Sequence, residues 1–267
     1  NILVSGGKDG KVILWDPAEA GIVQSFDHSS EIIGAKINDS LVITATKNGT
    51  ITFWDRKSGD KLDSLKTISD EVTAFSSSKD LLLGDKKGRV SRYDTPSGKL
   101  LDSISVFETS ITTINQTGDY LVTGNNQGEV VFLNDQFEEL KVEQLMDYRV
   151  YDLALDPKGK LLYVSGRGKD EHIKTYDLNK YKPKVSSFDL GNTPESQIAL
   201  GIRNILLFNN SLIYGTPGGT IVQKNLTDGS YEYFSGEAAP LTSIFVSGEQ
   251  LYLANSNYPL KKIDLSG

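Results

Sequence analysis

The sequence contains no cysteine in its 267 residues. Disulfide bonds, thiolate metal sites and cysteine nucleophiles are therefore excluded. Histidine is almost as scarce, because only His28 and His172 occur and metal sites usually need several such ligands. We expect no metal, no other cofactor and no catalytic residue. We interpret His28 as a structural histidine and His172 as a solvated residue in the lengthened turn 166–172.

The chain also lacks long apolar runs and helical periodicity. No apolar run approaches the roughly 18 residues that a membrane helix requires, so we expect no membrane span. The best helix candidate, residues 138–145, is in register with strands elsewhere in the chain, and we interpret it as a strand. The formal net charge of −7 disfavours nucleic acid as a general ligand, because such a ligand needs a basic face. The absence of cysteine fits a reducing compartment, so we expect an intracellular protein, cytoplasmic or nuclear.

What the chain does have is a repeated stretch. Residues 8–16 combine a turn at glycine, a strand of alternating character, and a terminal aromatic residue followed by aspartate. The pattern returns at residues 47–55 and, in weaker form, at residues 86–94. Glycine supplies the positive φ angle that tight hairpin turns require. Each copy therefore predicts a turn followed by a β-strand.

An aspartate or asparagine after the strand end marks seven copies: Asp16, Asp55, Asp94, Asn134, Asp177, Asn225 and Asp264. Successive members of this series are 39, 39, 40, 43, 48 and 39 residues apart. A period of about 40 residues with four short strands in each unit is typical of a β-propeller. One such unit cannot bury both of its faces alone, so consecutive units must pack against each other. The sequence predicts an all-β fold with seven blades.

These residues resemble the WD-repeat (WD40) β-propeller family. Trp15-Asp16 and Trp54-Asp55 match the dipeptide that names the family, and Tyr93-Asp94 is an aromatic variant of it. The resemblance covers nearly the whole chain and implies a single seven-bladed propeller domain over residues 1–267. It also implies a function, which is that of a non-catalytic scaffold that mediates protein–protein interactions and assembles a multiprotein complex.

The resemblance further implies a buried hydrogen-bond set in each unit, made of a histidine, a serine or threonine, an aspartate and the tryptophan. Only the second unit approaches this set, with His28, Thr44, Asn48 and Trp54. Such residues are structural in the family, because a buried indole N–H needs a hydrogen-bond partner.

The first unit lacks its first strand, and the last unit lacks its last strand. Propellers of this family pair their terminal strands in one blade, because closure protects exposed sheet edges. We therefore expect the first and last blades to be incomplete in this chain. Two explanations stay open: the chain is part of a longer protein, or a partner chain donates strands to the open blades.

Partner-binding residues are expected in the turns between second and third strands and at the starts of first strands. The candidates are Arg149, Tyr151, Arg167, Lys8, Lys47, Lys86, Glu31 and Glu71. Arginine and tyrosine are enriched at binding hot spots, so the first three lead the series. A ring of lysines in a net-acidic protein also favours an acidic or phosphorylated segment of another protein as the ligand.

A propeller enzyme of the lactonase type is the alternative from another functional class. Residues 156–164 look like the strand pairs of such enzymes, although a turn followed by an apolar strand is general to propellers. A convergent set of acidic or histidine ligands around the central channel would favour the enzyme, and a channel lined by small apolar residues would favour the scaffold. We interpret the glycine-rich stretch 215–219 as a hairpin turn, because no helix follows that could bind phosphate.

Overall fold

The structure, a computed structural model, describes residues 2–19, 21–38, 40–69, 71–77, 80–95, 97–117, 120–156, 161–178, 185–235, 241–255 and 261–265. Within these residues the chain forms 26 strands and one short helix. No helix in this part of the chain is long and apolar enough to cross a membrane. The strands form seven antiparallel sheets, each built from strands that are consecutive in the sequence. The predicted all-β, seven-bladed propeller is confirmed.

The first compact unit, Asn1–Ile114, holds three sheets, which we call blades 1 to 3. Blade 1 contains β1 (Leu3–Gly6), β2 (Lys11–Asp16) and β3 (Gly21–Asp27). Blade 2 contains β4 (Ile32–Ile37), β5 (Leu41–Thr46), β6 (Thr50–Asp55) and β7 (Lys61–Lys66). Blade 3 contains β8 (Val72–Ser77), β9 (Leu81–Asp85), β10 (Arg89–Tyr93) and β11 (Leu100–Ser105).

The second compact unit, Asn115–Gly267, holds blades 4 to 7, and the division between the units falls within the first strand of blade 4. Blade 4 contains β12 (Ile111–Thr117), β13 (Tyr120–Asn125), β14 (Glu129–Leu133) and β15 (Glu139–Gln144). Blade 5 contains β16 (Val150–Leu155), β17 (Leu161–Gly166), β18 (Ile173–Asp177) and β19 (Val185–Ser187). Blade 6 contains β20 (Asn204–Phe208), β21 (Ser211–Gly215), β22 (Thr220–Asn225) and β23 (Tyr231–Ser235). Blade 7 contains β24 (Leu241–Ser247), β25 (Gln250–Asn255) and β26 (Lys261–Asp264).

The first and last blades have three strands each among the described residues, as the sequence predicts. The segment at 138–145 is the strand β15, and the stretch 215–219 is the turn between β21 and β22. The repeat is interrupted between β19 and β20, where an insertion contains the helix α1 (Glu195–Ile198). The repeat has no counterpart for this insertion, so the pattern gave no basis for assigning it.

Apolar faces of consecutive sheets form the core within each unit, because a propeller strand is covered on both sides. In the first unit, Ile43 and Phe53 of blade 2 share one buried cluster with Leu83 and Tyr93 of blade 3. In the second unit, similar clusters join blades 4 and 5, blades 5 and 6, and blades 6 and 7. The second strands β5, β9, β13, β17 and β21 are buried along almost their entire length.

Neighbouring first strands are also joined by side-chain hydrogen bonds within each unit. In the first unit, Thr73 Oγ1 donates to the Ile111 carbonyl at 2.6 Å. In the second, Asn115 Nδ2 donates to the Leu153 carbonyl at 2.8 Å. The Ile205 amide donates to Asp152 Oδ2 at 3.1 Å. These bonds fix the position of one strand start relative to the next.

The residue that marks each copy of the repeat has a local structural role. Asp55 Oδ1 accepts hydrogen bonds from the amides of Lys57 at 2.8 Å and Ser58 at 2.7 Å. These bonds close the turn after β6 and hold the pKa of Asp55 below its ordinary value. Asp16, Asn134 and Asn225 accept amide hydrogen bonds in the same way in blades 1, 4 and 6. The repeat is therefore a repeat of turn chemistry as well as of strands.

Candidate partner-binding face

The structure brings three predicted site residues of blade 5 together. The Arg167 amide donates a hydrogen bond to the Arg149 carbonyl at 3.0 Å, so the turn after β17 is tied to the start of β16. The Arg149 guanidinium lies 5.8 Å from the centroid of the Tyr151 ring. Arg149 and Arg167 are exposed and Tyr151 is half-buried. Arg149, Tyr151 and Arg167 therefore form one continuous surface.

A β-bulge places Tyr151 on this surface. In the pairing of β16 with β17, Val150 lies opposite Gly166 and Asp152 lies opposite Ser165, which leaves Tyr151 as the extra residue. A bulge of this kind redirects a side chain relative to its neighbours on the strand. Equivalent shifts in register occur near the starts of β4, β8 and β24, so the device belongs to the repeat.

Two residues that sequence reasoning missed complete the surface. The Arg203 guanidinium lies 5.7 Å from the same Tyr151 ring, and the Arg167 guanidinium lies 5.4 Å from the Tyr148 ring. Arg203 occupies this position because the bond from the Ile205 amide to Asp152 holds the start of β20 against β16. We call Tyr148, Arg149, Tyr151, Arg167 and Arg203 the arginine–tyrosine patch. The signal for Arg203 was its place just before a first strand, like that of Arg149.

The arginines of the patch have no carboxylate partner in the part of the chain that the structure describes. Among the described residues, no acidic side chain lies within 4.0 Å of the guanidinium of Arg149, Arg167 or Arg203. Tyr148 remains 47% exposed beside Arg167. A cation over an aromatic ring is stabilised by the ring quadrupole, which orders the guanidinium without using its N–H donors. The donors stay available to a ligand.

The predicted lysines and glutamates of the first unit come together in pairs. Lys47 Nζ lies 3.3 Å from a Glu31 carboxylate oxygen, and Lys86 Nζ lies 3.0 Å from one of Glu71. The Lys47 and Lys86 amides also donate to the carbonyls of the same two glutamates. These pairs are partly exposed and individually weak. They nevertheless leave little net charge at either turn, which weakens the case for an acidic ligand at the lysines.

Lys8 differs from the other two lysines. Its side chain is exposed in the turn of blade 1, and no described carboxylate lies within 4.0 Å of its ammonium group. The turn itself is pinned by Asp9, whose Oδ1 accepts a hydrogen bond from the Lys11 amide at 3.0 Å.

The prediction that His172 is solvated is wrong. Only 3% of His172 is exposed, because the insertion before β20 covers the end of the lengthened turn. The Ile202 amide donates to the Gly166 carbonyl at 3.2 Å, and Ile198 of α1 is buried in one cluster with Ile173. Burial lowers the pKa of His172, and Glu195 partly opposes this effect. The turn that carries Arg167 is closed by the His172 backbone, whose carbonyl accepts a hydrogen bond from the Gly166 amide at 3.0 Å.

The hydrogen-bond set implied for blade 2 is only half formed. Trp54 Nε1 donates to Thr44 Oγ1 at 3.1 Å, as the resemblance implies. Asn48 Oδ1 instead accepts from Thr46 Oγ1 at 2.7 Å. His28 packs edge-on against Trp54 with ring centroids 5.3 Å apart, and its buried Nε2 has no partner among the described residues. His28 and Asn48 both line a cavity of about 220 Å³, together with Thr46 and Trp54.

The enzyme alternative asks for converging acidic or histidine ligands. In the described parts of the chain, no three such side chains come close enough together to hold a metal ion. The turn at 157–160, which contributed to the resemblance to lactonase-type enzymes, lies outside the described residues.

Comparisons with known proteins give one match to a family model and a similarity to a solved structure. Residues 1–16 match the family model WD40, described as WD domain, G-beta repeat. Among solved structures, the chain is similar to one titled "Crystal structure of the computationally designed Ika8 protein: crystal packing No.1 in P63". The TM-score is 0.74 at 19% sequence identity, over 99% of this chain and 93% of that chain. At this identity the likeness shows the fold alone. No curated protein sequence matches the chain.

Proposed function

We propose that this chain, a seven-bladed β-propeller of the WD40 type, is a non-catalytic scaffold that holds other proteins together in a complex. WD40 propellers generally act as protein-interaction scaffolds. The construction of this chain suits such a role, because rigid strands and pinned turns hold surface side chains in a fixed geometry.

The arginine–tyrosine patch is the observation that carries the proposal. Its side chains come from three separate segments and are held by backbone bonds to Arg149 and Arg167. Tyrosine and arginine are the side chains that most often dominate binding energy at protein interfaces. Lys8, Lys47, Lys86, Glu31 and Glu71 stay predictions as further contacts.

The test is affinity capture from cell extract with the full chain as bait. We expect the double substitution Arg149→Glu and Tyr151→Ala to lose the partners that the unaltered chain captures. The reason is that this change reverses one charge of the patch and removes the ring that both Arg149 and Arg203 contact. Quantitative mass spectrometry of the captured proteins measures the loss.

A matched control comes from the turn after β6 and the adjacent strand β7. Lys57→Glu and Leu62→Ala make the same kind of charge reversal and truncation at two exposed side chains. This control is expected to keep all partners. Equal capture by the unaltered chain and by the Arg149→Glu, Tyr151→Ala variant would remove the patch from the proposal.

We also propose strand addition as a second mode of partner binding. Among the described residues, β1 pairs only with β2, and β26 pairs only with β25. A partner strand could satisfy the remaining backbone groups of either one. Amide hydrogen exchange of the complex tests this mode, since unchanged exchange in both strands would reject it.

An intracellular location, cytoplasmic or nuclear, is likewise proposed, and microscopy of the tagged full-length protein would check it.

A further inference from the structure

We infer that the arginine–tyrosine patch binds an acidic segment of a partner protein, with aspartate or glutamate carboxylates paired to Arg149 and to Arg203. This inference rests on the proposed scaffold function and gives its ligand a chemistry. The sequence-based expectation placed an acidic ligand at the lysines of the first unit. The inference places it at arginines of the second unit instead.

The first argument is the absence of internal neutralisation. Three partly exposed lysines of the same unit have acidic partners: Lys141 pairs with Glu143, Lys174 with Glu171, and Lys224 with Asp189. The three arginines of the patch have none among the described residues. Two of the guanidiniums, those of Arg149 and Arg203, even share one ring. A bound carboxylate would supply the opposite charge that these guanidiniums lack among the described residues.

The second argument is the geometry of the donors. Each guanidinium offers five N–H groups in a planar fork, and a carboxylate accepts two of them at once. Tyr151 keeps Arg149 and Arg203 ordered at 5.8 and 5.7 Å from its centroid, so less side-chain freedom is lost when a ligand binds. The patch is therefore prepared for carboxylates before they arrive.

The third argument concerns the class of ligand. A chain with a net charge of −7 repels a long polyanion such as nucleic acid, whereas a short acidic segment needs only a local positive surface. The rings of Tyr148 and Tyr151 add apolar area that suits side chains between the acidic ones. Asp170 and Glu195 lie close enough to His172 to influence its pKa, and Arg167 does so too. Because Arg167 acts on the same histidine as these two acidic residues, we place the ligand carboxylates at Arg149 and Arg203.

The test uses a fluorescein-labelled peptide of about ten residues that alternates glutamate with leucine. Its controls are the same peptide with glutamine for glutamate and one with phosphoserine at matched net charge. Anisotropy titration with the full chain is expected to show binding at least about tenfold tighter for the glutamate peptide than for the glutamine peptide. We expect this affinity to fall as salt rises from about 50 to about 200 mM.

Variants of the chain complete the design. Arg203→Glu is expected to weaken binding by about tenfold or more, Arg149→Lys by less, and the control Lys57→Glu not at all. Circular dichroism of each variant shows whether the fold is kept. Equal affinity for the glutamine peptide, or undiminished binding to Arg203→Glu, would overturn the inference. Tighter binding of the phosphoserine peptide would overturn the choice of carboxylates.

The result is distinguishable from a failure of the scaffold proposal. If the acidic peptide does not bind but the Arg149→Glu, Tyr151→Ala variant still loses its captured partners, the scaffold stands and the acidic ligand is rejected. If neither experiment shows an effect, the patch is not a partner-binding surface.

Discussion

Both tryptophans of the chain are held by a hydroxyl group ten residues earlier. Trp15 Nε1 donates to Ser5 Oγ at 2.8 Å, and Trp54 Nε1 donates to Thr44 Oγ1 at 3.1 Å. In the strand pairing, Trp15 lies opposite Leu3 and Trp54 lies opposite Val42. The hydroxyl residue is two positions further along the same neighbouring strand, so the pairing sets the distance between the indole N–H and the hydroxyl oxygen. Satisfying the indole N–H by a short side chain explains why the tryptophan recurs at the end of a strand.

A half-buried aspartate at the start of blade 5, Asp152, gives the chain a measurable pH dependence. Burial raises the pKa of Asp152 to about 6, even though the Ile205 and Leu153 amides stabilise its charged form. Because the folded pKa lies above the unfolded value of about 3.9, the folded state binds the proton more tightly. The contribution of Asp152 to stability is therefore fully present below about pH 4 and is lost as the pH rises through about 6.

Comparing the unaltered chain with Asp152→Asn isolates this effect, because the other titrating groups are common to both. Between about pH 4 and pH 7, we expect the free energy of unfolding of the unaltered chain to fall relative to that of Asp152→Asn by on the order of 2 to 3 kcal/mol. Urea unfolding at several pH values measures it. A difference that does not vary with pH would show that Asp152 titrates normally.

At the residue scale, the candidate site could be predicted only in part. Arg149, Tyr151 and Arg167 follow from the register of the repeat, since it identifies turns and strand starts. Arg203 and the bulge that presents Tyr151 depend on contacts between blades, which a single repeat does not encode. The burial of His172 depends on an insertion from outside the repeat.

At the scale of elements, the glycines of the hairpin turns differ in whether they do more than allow a positive φ. Gly49 has φ 80°, and a Cβ atom there would lie 2.0 Å from the Ser69 carbonyl oxygen. Gly229 has a similar φ of 75°, but a Cβ atom there would meet nothing within 4 Å. The two positions separate backbone strain from steric overlap.

Substituting alanine at these two glycines therefore gives different losses of stability. Gly229→Ala is expected to cost about 1 kcal/mol, which is the strain of a non-glycine residue at positive φ. Gly49→Ala is expected to cost about 2 kcal/mol more, because the loop carrying Ser69 must move. Urea unfolding of both variants measures the losses. Equal losses would mean that the connection after β7, which carries Ser69, moves away from the added methyl group at little cost in free energy.

Strands were more predictable than the segments between them. Alternation, β-branched residues and glycine turns repeat in every blade, so strand existence and order follow from local pattern. The insertion with α1 repeats nowhere, and its helix is only four residues long with a proline N-cap and no side-chain cap. Such a helix depends on packing through Ile198 rather than on its own sequence, and no periodic signal could indicate it.

At the scale of the whole chain, the repeat predicts a repeating pattern of local stability. The second strands β5, β9, β13, β17 and β21 are almost wholly buried and are paired on both sides. The fourth strands β7, β11, β15 and β19 are largely exposed and are paired on one side only. Buried and doubly paired segments open at a higher free energy than exposed edges.

We therefore expect the rate of amide hydrogen exchange to rise and fall along the chain with the period of the sequence repeat. Exchange is carried out on the intact chain, and mass spectrometry of its peptides after digestion measures the rate in each segment. Slowest exchange should occur in the segments beginning at Leu41, Leu81, Tyr120, Leu161 and Ser211. Fourth strands should exchange faster by about tenfold or more, since a difference of about 1.4 kcal/mol in opening free energy corresponds to that factor. Protection of the fourth strands equal to that of the second strands would mean that something covers their edges in solution. The exposed edges are backbone groups that every blade has, so without a partner they should all exchange at similar rates. A partner that adds a strand would slow exchange only in the blade with which it pairs, and that blade would be identified by its departure from the periodic pattern.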